Sequence, residues 1–148
     1  MDKYVVSSCL AGIPCRYDCS DKRNDYVCKL VSEGKAIPLC PEQLGGLSTP
    51  REAAECKIEN GELRVYSKSG VDLTEQFYKG ANIVLNFMKE HNITKAILQK
   101  NSPSCGVITY DGTFTGTLGT TSGVTAKLLL DNGIEVISSQ DLGGIYEN

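Results

Sequence analysis

Apolar residues along this chain fall into short continuous blocks and longer stretches spaced three and four apart, and the two kinds alternate. A short block bounded by turn residues reads as a buried strand, and three-to-four spacing reads as an amphipathic helix. The first strand runs from Lys3 to Ser8 and stops at Cys9. A loop punctuated by Gly12 and Pro14 carries the chain to Cys19. A short helix follows over Asp25 to Glu33, with Asp25 as its cap, Val27, Leu30 and Val31 turned to the core, and Gly34 at its end. Ala36 to Leu39 is the next strand. Past it, the Pro/Gly-rich stretch from Cys40 to Arg51 reads as a long loop. Cys56–Glu59 and Glu62–Tyr66 flank Asn60-Gly61, the signature of a tight hairpin. Asp72-Leu73-Thr74-Glu75 matches a capping box and opens the longest helix, which reaches about His91 on a stripe of Leu73, Phe77, Ala81, Val84, Leu85 and Met88. His91 there suits the helix C-terminal dipole. After the strand Ala96–Gln99, Asp111-Gly112 predicts a second hairpin between Val107–Tyr110 and Thr113–Thr115. Ser122 caps a last helix from Gly123 to about Asn132, and Ile134–Ile137 is the last strand.

Strands separated by helices pair in parallel through right-handed crossovers. The expected fold is therefore a single compact α/β domain over residues 1–148, with a mainly parallel sheet, helices on its faces and two β-hairpins. In such a sheet the segments leaving the strand C-termini gather at one edge, where ligands bind. Cys9, Cys40 and Cys105 each follow a predicted strand, so three cysteines distant in sequence are expected to meet there.

Composition narrows the function classes. A hydrophobic fraction of 41%, a charged fraction of 22% and a net charge of −3 describe a globular protein with no electrostatic case for binding a nucleic acid polymer. No apolar run approaches the roughly 20 residues of a membrane helix, and the N-terminus lacks a signal-peptide pattern, so the expected location is the cytoplasm. In that compartment seven cysteines are unusual. An odd number argues against a disulfide framework and for metal, cluster or redox chemistry at some of them. Structural zinc prefers four ligands, often in Cys-x-x-Cys pairs, and the chain has none. Three separated thiolates suit an iron–sulfur cubane with one iron left open. Cys15, in the loop after Cys9, is either a fourth ligand or a free thiol. That all seven cysteines are unligated is the competing reading.

Six ordered motifs carry a family resemblance that runs almost end to end. They are Val6-Ser7-Ser8-Cys9-Leu10-Ala11-Gly12 with Cys15-Arg16-Tyr17-Asp18; Cys40-Pro41-Glu42 with Leu44-Gly45-Gly46; Thr49-Pro50-Arg51; Ser102-Pro103-Ser104-Cys105-Gly106; Tyr110-Asp111-Gly112-Thr113-Phe114; and Gly123-Val124-Thr125-Ala126. The chain resembles a small bacterial domain family, formerly of unknown function, whose characterised members are 2-thiouracil desulfidases. The resemblance implies a 4Fe–4S cluster on Cys9, Cys40 and Cys105, with one iron open to the sulfur of a thiolated pyrimidine. It also implies a non-redox replacement of C=S by C=O that releases hydrogen sulfide. The family pattern usually has Gly after Arg-Tyr-Asp, where this chain has Cys19. An open iron is oxygen-sensitive, so an aerobic preparation is expected to lose the cluster and show bare, disulfide-bonded or zinc-loaded cysteines.

Such chemistry needs a proton acceptor for the attacking water. Glu42, two residues after a proposed ligand, is the best-placed carboxylate. Ser102 and Ser104, in the loop that delivers Cys105, are candidates to orient substrate or water, Ser102 slightly favoured. Gly106 offers close backbone approach to cluster or substrate. Arg16, Arg51 and Lys100 are candidate contacts for a small thioamide or thiolated nucleobase, and Asp18 could hold Arg16. Cys28 and Cys56 read as buried thiols. Two other classes remain open: a non-catalytic metal- or cluster-binding protein, and a thiol-redox enzyme using Cys9 and Cys15 or another pair.

Overall fold

The computed structural model describes residues 3–142. Four parallel strands form its centre: β1 (Tyr4–Ser7), β2 (Ala36–Leu39), β5 (Lys95–Leu98) and β6 (Glu135–Ser138), in the order β2-β1-β5-β6. Val5 pairs with Ile37 on one side and Ala96 on the other, and Ile97 pairs with Ile137. Pro38 cannot donate to a ladder, and it sits on edge strand β2, where that costs least. The sheet grows to one side of β1 first and to the other side later. It therefore reverses at the C-terminal ends of β1 and β5, where an open parallel sheet forms its ligand crevice.

Alternation along each strand sends residues to two cores. Val5, Ala96 and Leu98 pack with Val84, Leu85 and Met88 of α3 (Thr74–Glu90) and Leu129 of α4 (Val124–Asp131). Val6 and Ile97 face the other way, onto Val27 and Leu30 of α1 (Asp25–Ser32), together with Cys9, Leu10 and Cys15. A third cluster joins Cys56, Leu63 and Val65 of the hairpin β3 (Ala54–Glu59) and β4 (Glu62–Ser67) to Phe77 and Ala81 of α3.

The α/β class, the parallel sheet and the first hairpin agree with the sequence. Asn60 and Gly61 both adopt positive φ, as the tight turn requires. Several local expectations change. Asn24, not Asp25, caps α1 by accepting from the Val27 N–H at 3.1 Å. The stretch after Cys40 opens with one helical turn, α2 (Pro41–Leu44), begun by a proline whose missing N–H is no loss at that position. Val107–Thr115 does not form a second hairpin: Thr109 bridges in parallel to Asn101, Tyr110 bridges to Leu118, and a wide loop spans the residues between. The pull of Asp111-Gly112 toward a tight turn is overridden because Glu55 captures the N–H groups of Gly112 and Phe114 at 3.0 and 3.1 Å. Ser122 does not cap α4 either. Gly123 stands at the cap, and the first N–H groups of the helix go to backbone carbonyls of the Cys105 loop. Among the described residues no helix is long and apolar enough to cross a membrane.

Candidate active site

Three segments leave the sheet at its reversal point, and each delivers a cysteine. β1 ends at Ser7 and turns into a short 3-10 helix (Ser8–Ala11) that carries Cys9. β2 ends at Leu39, and Cys40 is the cap residue of α2. β5 ends at Leu98, and its loop folds back to place Cys105. Cys9, Cys40 and Cys105 line one cavity of about 320 Å³, and Cys15 lines it with them. Cys9, Cys15 and Cys105 are buried and Cys40 is partly so. Glu42, Arg16, Lys100 and Ser102 share the same wall, so most of the residues singled out from sequence converge.

The loop bearing Cys105 is fixed by α4. Val124 N–H donates to Pro103 O at 2.9 Å, and the Thr125 and Ala126 N–H groups donate to Ser104 O at 2.9 and 3.0 Å. The exposed donors of a helix start are thus spent on this loop. A Cβ on Gly123 would lie 2.6 Å from the Ser104 carbonyl, so only glycine allows the seating. Ser102 Oγ accepts from the N–H groups of Ser104 and Cys105, both at 3.1 Å, and keeps its own proton to donate. Ser104 behaves differently from the sequence reading. It is 1% exposed, lies off the cavity wall and bonds Thr125 Oγ1 at 2.7 Å, so it fastens the loop to α4. Gly106 packs against Asn101 and Ile108 backbone of its own loop, which is what its missing side chain permits.

Glu42 projects from the first turn of α2, one position after Pro41, and is largely covered. Arg51 reaches it with Nη2 at 2.8 Å from Oε2. The sequence offered Arg51 as a substrate contact. The structure places it off the cavity wall, where its guanidinium also bonds Cys15 O, Ser48 O and Thr49 Oγ1. Arg16 lies on the wall, 5.5 Å over the Tyr17 ring, with Nη1 3.4 Å from Ser20 Oγ. Asp18 bonds Ser20 instead of Arg16, closing the turn and lowering its own pKa through those bonds.

Cys19 is exposed, lies off the cavity and has φ of +63°. That left-handed backbone suits the glycine usual in the family pattern and strains a cysteine. Cys28 donates weakly to Leu10 O, and Cys56 donates to Pro103 O at 3.1 Å. His91 ends α3, its ring 4.4 Å from that of Phe87 and away from the cavity. Sequence reasoning missed Ser7, Lys22, Glu55, Asn101 and the wall role of Tyr110. Ser7 and Tyr110, which belong to two of the motifs, carried a signal in the sequence.

Burial pushes the Cys105 thiol up to about 12. Cys15 feels opposed influences: contact with the Cys40 thiol lowers its pKa, while contact with Cys9 and burial raise it, to about 11. Contact with Cys15, then burial, raises Cys40 further. A thiol with a raised pKa must give up its proton before it can ligate a metal. A tetrahedral zinc needs sulfurs about 3.8 Å apart, given Zn–S bonds near 2.3 Å. Among the described residues no three of His, Cys, Asp or Glu are grouped to hold a metal ion in that way. A multi-iron cubane takes each thiolate on a different corner and so accepts wider spacing. Soft thiol donors from three loops around one cavity fit such a cluster.

Comparisons with known proteins bear on the family and the fold. The model of the family described as 2-thiouracil desulfurase matches residues 4–141. An uncharacterized protein of Bacillus subtilis (strain 168), YbbK, is 47% identical over 95% of this chain and 98% of its own. The solved structure of the 4Fe–4S-dependent thiouracil desulfidase TudS superposes with a TM-score of 0.88. It is 39% identical and covers 99% of this chain and 96% of its own.

Proposed function

The chain belongs to the 2-thiouracil desulfurase family, and we propose that it hydrolyses the C=S group of a thiolated nucleobase such as 2-thiouracil. Water supplies the oxygen of the new C=O, and the sulfur leaves as hydrogen sulfide without net redox change. The observation that carries this reading is the meeting of Cys9, Cys40 and Cys105 on one cavity with Glu42 in its wall. These three thiolates would hold a 4Fe–4S cluster. When bound, the cluster supplies an iron without a protein ligand, a Lewis acid for the thiocarbonyl sulfur.

The protein's own groups do the rest. Glu42 accepts the proton of the attacking water, a step of general base catalysis worth roughly 10²–10⁴ in rate. Ser102, whose oxygen is anchored by two backbone N–H groups, directs its hydroxyl proton toward a heteroatom of the substrate. Arg16 and Lys100, which line the cavity, meet the carbonyl side of the ring. Partial enclosure limits bulk water to the reacting molecule. A set of free thiols of this kind suits the reducing cytoplasm.

Anaerobic reconstitution with iron and sulfide tests the reading. The expected result is about four irons and four acid-labile sulfides per chain, lost on Cys9→Ala, Cys40→Ala or Cys105→Ala and kept on Cys15→Ala, with sulfide released from 2-thiouracil. Failure of the wild-type chain to take up iron sinks the desulfidase mechanism. A thiol-redox role would then lead.

A further inference from the structure

Arg51 is the most fully committed polar side chain near the cavity, yet it does not face it. Its side chain is 8% exposed. Nη2 donates to Glu42 Oε2 at 2.8 Å and to Cys15 O at 3.1 Å, while Nη1 donates to Ser48 O at 3.0 Å and Thr49 Oγ1 at 2.9 Å. Its backbone N–H donates to Tyr17 O at 2.7 Å. One residue therefore ties together the turn after β2, the loop after β1 and its own turn. Gln43, donating to Thr49 Oγ1 at 2.9 Å, and the Cys40 thiol, donating weakly to Cys15 O, add to these ties. The planar guanidinium makes this possible because its donors sit in a fixed fork, which an ammonium cannot copy.

Resting on the role of Glu42 proposed above, we propose that Arg51 is a positioning residue of the reaction. It does not meet the substrate. It holds the Glu42 carboxylate at the cavity wall by Oε2, leaving Oε1 to the attacking water, and locks that carboxylate to the Cys15 segment. Proton transfer depends on donor and acceptor being held within a fraction of an ångström of the working geometry. The backbone of α2 is held by α3, and among the described residues Arg51 is the hydrogen-bond partner that fixes the Glu42 carboxylate itself. A charge-assisted bond to a nearly buried guanidinium provides that restraint.

The test compares wild type, Glu42→Gln, Arg51→Gln and the double variant. Each is reconstituted anaerobically and assayed for sulfide release from 2-thiouracil, iron content and melting temperature. Arg51→Gln is expected to lower kcat roughly tenfold to a hundredfold with KM within about twofold of wild type and iron content unchanged. In the Glu42→Gln background the Arg51 change is expected to add almost nothing to the loss of kcat, since it acts through a carboxylate no longer present. A full multiplicative loss in the double variant would overturn the inference, because a merely structural arginine acts whatever stands at position 42. A rise in KM at unchanged kcat would overturn it in favour of a substrate contact. Wild-type kcat in Glu42→Gln would instead strike down the proton-acceptor role itself, and the two failures are thereby told apart. If Arg51→Gln does not fold, Arg51→Lys serves: it is expected to restore iron loading and only part of kcat, and an effect on KM alone counts against the inference.

Discussion

The one-turn helix α2, which carries Cys40 at its cap and Glu42 in its body, lies on α3 with almost no space between the backbones, and this contact sets how far the site tolerates change. A Cβ built on Gly80 would lie 1.8 Å from the carbonyl oxygen of Pro41, the residue between Cys40 and Glu42. From the other side, a Cβ on Gly45 would lie 2.0 Å from Gln76 O. Gly80→Ala therefore sets two effects of opposite sign against each other. Alanine in a helix interior gains about 1 kcal/mol over glycine. Restoring an ordinary contact of about 3.2 Å requires the helices to part by ~1.4 Å, and overpacking of this kind costs up to about 3 kcal/mol or more. The net expectation is a loss of about 2 kcal/mol, or a melting temperature some 4–8 °C lower for a domain of this size. Because the displaced atom lies between Cys40 and Glu42, a shift of about 1 Å should also cost roughly a hundredfold in kcat/KM. Melting of Gly80→Ala, Gly45→Ala and the exposed control Lys79→Ala by circular dichroism, with sulfide release after reconstitution, checks both parts. A Gly80→Ala chain that melts at or above wild type with full activity refutes the reasoning, since propensity alone would then have decided.

Other consequences can be measured as directly. Ser104→Ala strands the buried Thr125 hydroxyl that it bonds at 2.7 Å, so chemical denaturation should show about 1–2 kcal/mol less stability, while kcat falls far less than in Ser102→Ala. Burial raises the Cys56 thiol from the ordinary 9.0 to about 12; the folded state holds this proton more tightly, so its contribution is complete below pH 9 and lost as pH climbs toward 12. Cys56→Ala should thus flatten the alkaline fall in melting temperature relative to wild type, and an unchanged slope would contradict it. Cys19→Gly relieves a left-handed cysteine and should stabilise the chain by about 1 kcal/mol, read from the denaturation midpoint. Glu55→Ala releases the N–H groups of Gly112 and Phe114 and should raise KM, with faster proteolysis of the 111–117 loop; an unchanged loop would show that other bonds hold it.

What the sequence determined by itself was whatever depends on neighbours along the chain. Apolar blocks and helical spacing placed all four parallel strands, the hairpin at Asn60-Gly61 and the long helix to within a residue or two. Parallel order then implied that Cys9, Cys40 and Cys105 would share one edge, because strands of one direction end on one side. What only the tertiary structure decided were the partners that distant segments supply. Ser102 and Ser104 are alike in sequence and opposite in placement, because the N-terminus of α4 docks on one side of their loop and the cavity opens on the other. Ser122 lost the cap of α4 to the Pro103 and Ser104 carbonyls, and Asp111-Gly112 lost its tight turn to Glu55. Arg51 looked like a substrate contact until Glu42, nine residues away, and the Cys15 carbonyl, 36 away, were seen to occupy it. Local propensities are worth tenths of a kcal/mol to about 1 kcal/mol, and a hydrogen bond to a group that would otherwise be buried unsatisfied is worth more. Where the two compete, the fold's long-range partners win.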